Sequence, residues 1–124
     1  MMDVVQAQKE LMDTGLYEGV ICYARNKKEG QFSFSCSYAG LVCFMAQCVG
    51  LVAKHTTLEQ KDIIKIIDLL SKSSLRYIDG NETPAKAKRT EAKVREICGD
   101  MVQDATFTKG KWIFQYEKEG RGDV

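Results

Sequence analysis

The sequence predicts an α+β domain: an antiparallel sheet, made of an N-terminal hairpin plus a C-terminal strand or hairpin, packed against three to four helices. Three observations predict it. "VICYAR" and "QFSFSCSY" alternate as strands around the turn "NKKEG". Between residues 39 and 102 three long stretches carry apolar residues at helical spacing or all round. The chain then returns to alternation in "TFTKGKWIFQYEKE", with Trp112, Phe114 and Tyr116 on one face.

The elements follow in order. Asp3 to Thr14 reads as a short amphipathic helix stopped by Gly15. "LYEGVICYAR" is the first strand, its β propensity supplied by Val20, Ile21 and Tyr23. In the second strand Phe32, Phe34, Cys36 and Tyr38 share one face, and Gln31, Ser33, Ser35 and Ser37 share the other. The aromatic face is expected to be covered by the next element, a helix from Ala39 to Lys54. That helix is apolar nearly all round, which predicts burial inside the domain or at a subunit interface. Its small residues Ala39, Cys43, Ala46, Gly50 and Ala53 let another backbone approach, so self-association into a homo-oligomer is expected.

A long helix through Ile78 begins at a capping-box pattern, Thr56-x-x-Glu59. After the loop "DGNET", Thr83 and the single proline, Pro84, mark an N-cap followed by proline at the first helical position. The last helix buries Ala87, Val94, Ile97, Cys98, Met101 and Val102, with Gly99 a candidate stop.

With 124 residues the chain is read as one domain over 1–119 and a loose tail over 120–124. The 44% hydrophobic and 28% charged content is ordinary for a globular protein. A net charge of +1 provides no overall field for nucleic acid or membrane. The N-terminus lacks the pattern of a signal peptide. The uncharged run 39–53 is shorter than the roughly 20 residues that span a bilayer. The cysteines at 22, 36, 43, 48 and 98 are odd in number and have apolar neighbours, which fits reduced thiols. These features predict a soluble, cytoplasmic protein with no membrane partner.

Two places are candidate binding sites. At the strand-to-helix corner, Ser35, Ser37 and Gly40 combine hydroxyls, room for close approach and free helical N–H groups, which suits a phosphate-containing ligand such as a nucleotide. The competing reading is a strand face kept wet by serine. The second place is "KAKRTEAKVR". Residues 84–95 hold five basic side chains against Glu91 alone, a net of +4, and Glu96, Asp100 and Asp104 follow. This polarity opposes the helix dipole at about 0.3–1 kcal/mol per charge. Lys86, Arg89 and Lys93 share a face and are the candidate contact for a macromolecular partner with an acidic surface, protein rather than nucleic acid. The plain alternative is a solvated face with carboxylates of the same chain nearby.

Catalytic arrangements are missing or half-made. The chain has no G-x-S-x-G elbow and no G-x-x-x-x-G-K-[ST] loop, and position 42, where a Cys36 phosphatase signature needs arginine, is Val42. Cys48 and His55 lie seven residues apart on one helix, a conceivable dyad without an electropositive setting. One histidine and no C-x-x-C pair give no metal or cofactor site. "RGD" at 121–123 carries no weight without an export route.

The resulting expectation is a non-catalytic interaction or regulatory protein that binds or masks a larger partner. Compact motif-poor chains of this kind are typical of phage and mobile-element accessory proteins, including inhibitors. The alternative is a nucleotide- or nucleic-acid-binding protein using the corner or the basic helix.

Overall fold

A computed structural model describes residues 3–26 and 30–116. The described residues form four helices and two two-stranded antiparallel sheets, an α+β fold. Its backbone contacts cluster into two compact units, Met1–Leu51 and Val52–Val124.

The first unit opens with α1 (Val4–Asp13), started by the Asp3 carboxylate, which accepts from the Gln6 N–H at 2.8 Å. Strands β1 (Val20–Arg25) and β2 (Gly30–Ser35) form the expected hairpin, in which Val20 opposes Ser35, Cys22 opposes Ser33, and Tyr23 opposes Phe32. Helix α1 lies across both strands. It covers the side that the alternation assigns to water. Ser33 is half-buried and donates to Gln8 Oε1 at 3.0 Å, and Val20 is buried on the same face. Phe32 and Phe34 on the other face remain exposed, stacked in a row with Tyr38 at centroid spacings of 5.5 and 6.4 Å. The serines are small enough for a helix to approach over Val20 and Cys22. A face of phenylalanines would hold it away.

Helix α2 (Tyr38–His55) begins where the sequence still suggests strand. Ser37 caps it, its Oγ accepting from the Gly40 N–H at 3.1 Å. Only Val49 on this helix is buried. Tyr38, Val42 and Leu51 are 80%, 63% and 59% exposed, so the expectation of burial within the domain is not met. Among the described residues α2 is the one helix long and apolar enough, by length and composition, to cross a membrane. The uncharged run 39–53 understates it, because Tyr38, Lys54 and His55 extend the helix to about 27 Å. The likeness goes no further than length and composition.

In the second unit, α3 (Gln60–Ile78) and α4 (Pro84–Cys98) pack on each other, and α4 packs on the hairpin of β3 (Val102–Thr108) and β4 (Lys111–Tyr116). The capping box before α3 is not formed. Thr56 instead closes the end of α2, donating to the Val52 carbonyl at 2.8 Å and accepting from the Leu58 N–H at 3.2 Å. Thr83 caps α4 as expected, accepting from the Lys86 N–H at 3.2 Å, with Pro84 in the first turn. Gly99 ends α4 at φ +61°, and a single 3-10 turn, Gly99–Met101, turns the chain into β3.

The core of this unit is Ile63, Val94, Val102 and Ala105. A row of rings closes one side: Tyr77 of α3 meets Phe107 edge-on at 5.8 Å, and Phe107, Trp112 and Phe114 follow along the hairpin. The two-residue turn Lys109–Gly110 has positive φ at both positions, the geometry that twists with a hairpin. A Cβ on Gly110 would lie 2.7 Å from the Tyr77 ring. Residues 27–29 of the expected turn and the expected tail, with "RGD" and the rest of 117–124, lie outside the described residues.

Gly110→Ala therefore meets both a disfavoured backbone angle and an aromatic ring. It is expected to lower stability by about 1–3 kcal/mol in urea unfolding, whereas Gly80→Ala, with a similar φ but open space around it, should cost less.

Candidate functional site: a basic groove held by a buried carboxylate

The anion-attracting face of α4 is built on a polar network between α3 and α4. Among the described residues of the second unit two polar ones are buried, Ser73 (0% exposed) and Thr90 (5%). The Glu82 side chain, in the connecting loop, is only 3% exposed. Ser73 donates its hydroxyl to Glu82 Oε2. Arg76 grips the same carboxylate with two bonds, Nε to Oε1 at 3.2 Å and Nη2 to Oε2 at 3.3 Å. The Thr83 N–H adds a further bond at 3.3 Å.

From there the network reaches α4. Arg76 Nη2 donates to Thr90 Oγ1 at 3.3 Å, and the Thr90 hydroxyl donates to the Lys86 carbonyl one turn back at 3.2 Å. Among the described residues no buried side-chain polar atom of this network lacks a partner, which is what makes a buried network stabilising rather than costly. Burial alone pushes the Glu82 carboxyl up. The hydrogen bonds from Ser73 and Arg76, the Arg76 charge and the Thr83 N–H outweigh it, and the carboxyl lies below the usual glutamate range.

The network sets Arg76 beside the three predicted contact residues. Arg76, Lys86, Arg89, Thr90 and Lys93 line one shallow groove of about 270 Å³, with Leu69 supplying an apolar patch. Lys86, Arg89 and Lys93 thus come together. Among the described residues none of the three is in an ion pair, and Lys86 Nζ reaches only the Asn81 carbonyl, at 3.5 Å. Arg95 behaves differently. It pairs with Glu91 at 3.0 Å and Asp104 at 3.6 Å and donates to the carbonyls of Val102 and Gln103. The charge run therefore divides: its C-terminal member, Arg95, is neutralised within the chain, and Lys86, Arg89 and Lys93 are left facing the groove.

At the other candidate place, Ser37 and Gly40 border a depression of about 570 Å³, together with Cys36, Glu18 and Phe44. Ser35 is not part of its wall; it sits in β2 opposite Val20. The Ser37 capping bond uses the Gly40 N–H, one of the donors an anion would need, and Glu18 adds a negative charge.

All five cysteines are free. Burial raises the Cys98 thiol above its ordinary pKa, away from thiolate chemistry. Cys48 and His55 are separated by seven residues of helix, a rise of about 10 Å that exceeds hydrogen-bond reach. Among the described residues no group of three metal-binding side chains comes together. Arg76, Glu82 and Thr90 escaped the sequence reading because they lie on different elements; the signal available was a lone Arg–Glu pair six residues apart across the "DGNET" loop.

No protein-family model, curated protein or solved structure matches this chain.

The lowered Glu82 carboxyl fixes the sign of a pH effect. Its contribution to stability is complete above the ordinary glutamate range and is lost as pH falls through that range toward the folded-state value. Glu82→Gln should lower stability at pH 7 by about 2 kcal/mol and show a shallower loss between pH 6 and pH 3 than the parent in urea titrations. An equal acid slope in both proteins would remove Glu82 from this role.

Proposed function

We propose that the protein is a non-catalytic interaction module that binds an acidic surface of a larger protein through the groove between α3 and α4. The observation that carries this reading is the convergence of Lys86, Arg89 and Lys93, without ion-pair partners among the described residues, beside an Arg76 whose position is set by buried bonds. Lys86, in the first turn of α4, opposes the helix dipole, and a carboxylate-rich partner turns that cost into binding energy. Leu69 in the same wall favours a partner that brings an apolar side chain among its carboxylates. The near-neutral net charge argues against a polyanion the size of nucleic acid as the main ligand. Anion binding is placed here rather than at the Ser37–Gly40 corner because Glu18 faces that depression.

Five free thiols support a reducing compartment such as the cytoplasm. The exposed apolar surface of α2 supports self-association, which would present the groove in more than one copy. A regulatory or inhibitory role follows if the acidic surface being covered is a working surface of the partner.

Two experiments test this. Titration of the protein with a fluorescent poly-glutamate peptide in low salt should show saturable binding. The variant Lys86→Glu/Arg89→Glu/Lys93→Glu should bind at least about tenfold more weakly, at about 0.5 kcal/mol or more per exposed charge pair, while melting within a few degrees of the parent. Preference for a DNA oligonucleotide of equal charge, with a steep salt slope, would instead favour nucleic acid. For self-association, sedimentation should show a species larger than the monomer that Val42→Glu/Leu51→Glu dissociates; a monomer at all concentrations would remove this part of the reading.

A further inference from the structure

The second unit also holds an apolar cavity that shares no lining residue with the basic groove. Val52 at the end of α2, Ile67 and Leu70 of α3, Cys98 of α4, Met101 and Phe114 are among its walls, and it is a half-open pocket of about 210 Å³. Packed interiors leave few voids much larger than a water molecule. An apolar cavity of about 150 Å³ lined by Leu, Ile and Phe stays dry and takes up benzene.

The lining decides the chemistry of an occupant. Among the described residues no charged side chain borders the pocket, and the one hydroxyl, Thr56, is already spent on the Val52 carbonyl and the Leu58 N–H. Water against the inner walls finds few polar partners, and a carboxylate or ammonium group set there would lose hydration with no counter-charge. A peptide segment laid into it would have N–H and C=O groups turned to the walls with nothing to bond them.

We propose that this cavity is a binding site for a neutral apolar molecule of about six to eight carbon atoms, the size that its volume sets against the benzene-binding case. Two native reporters stand at its edge. Trp112, the only tryptophan, stacks on the lining residue Phe114 at 5.9 Å and 14°. Cys98 forms part of the wall as a half-buried thiol.

The test uses the full chain with benzene as probe, following Trp112 emission, the rate of Cys98 alkylation by a maleimide and thermal unfolding. Benzene is expected to change Trp112 emission saturably, to slow Cys98 alkylation several-fold, and to raise Tm by about 3 °C at about five times its Kd. Ile67→Phe fills the cavity and should abolish all three responses while melting no lower than the parent. If Ile67→Phe does not fold, Val52→Phe at the exposed rim must produce the same loss. No saturable response in the parent overturns the proposal. So does a response unchanged in the filled variant, which places benzene elsewhere. A response seen only as an oligomer dissociates assigns the cavity to a second copy of the chain and overturns it as well.

Discussion

The arrangement of the second unit depends on one buried carboxylate. Glu82 sits in the loop between α3 and α4, almost wholly out of water, and is satisfied by Ser73, Arg76 and the Thr83 N–H. Removing a partner from such a group leaves a buried charge uncompensated, a far larger penalty than the loss of a surface pair. The loop is thereby tied to α3 at two points a turn apart. Arg76 carries the tie to Thr90 on α4. The apolar face of α4, centred on the fully buried Val94, can then close on its neighbours.

The same tie has a consequence at the surface. A guanidinium engaged with Glu82 from one side presents its remaining edge to the groove, and Lys86, Arg89 and Lys93 follow along α4 at steps of three and four. Under the proposed function, stability and recognition draw on the same residues. A basic helix face that floated free would be a solvated charge run; one held against α3 by buried hydrogen bonds is preorganised, and preorganisation lowers the entropic cost of binding. In the first unit the balance differs. Its hairpin meets α1 through serines and small apolar residues, and leaves Phe32, Phe34 and most side chains of α2 exposed.

Much of the fold was legible in the sequence. Periodicity located all four helices and the first hairpin and left the C-terminal segment as a strand or a hairpin, and Thr83-Pro84 marked the start of α4 because caps are set by local backbone chemistry. Gly99, a candidate stop, ends α4 before Met101 and Val102, which periodicity places on the helix and which lie in the 3-10 turn and in β3. What failed was tertiary. Alternation in β2 identifies two faces, yet it does not say which one a helix covers, and small size at Ser33 outweighed hydrophobicity at Phe32. Thr56 matched a capping box, yet its hydroxyl served the helix before it, since α2 runs one residue beyond Lys54. The basic trio was visible because it lies on one helix face. Its supports, Arg76 and Glu82, were not, because their meeting depends on how the loop folds back.

The most direct measurement is chemical-shift mapping of the isotope-labelled chain during titration with the acidic peptide. Perturbations should be confined to residues 86–93 of α4, with Leu69 and Arg76 across the groove, and Ser37 and Gly40 should change little. Perturbations centred on α2 or on the strand-to-helix corner, or none at saturating peptide, would contradict the proposed function.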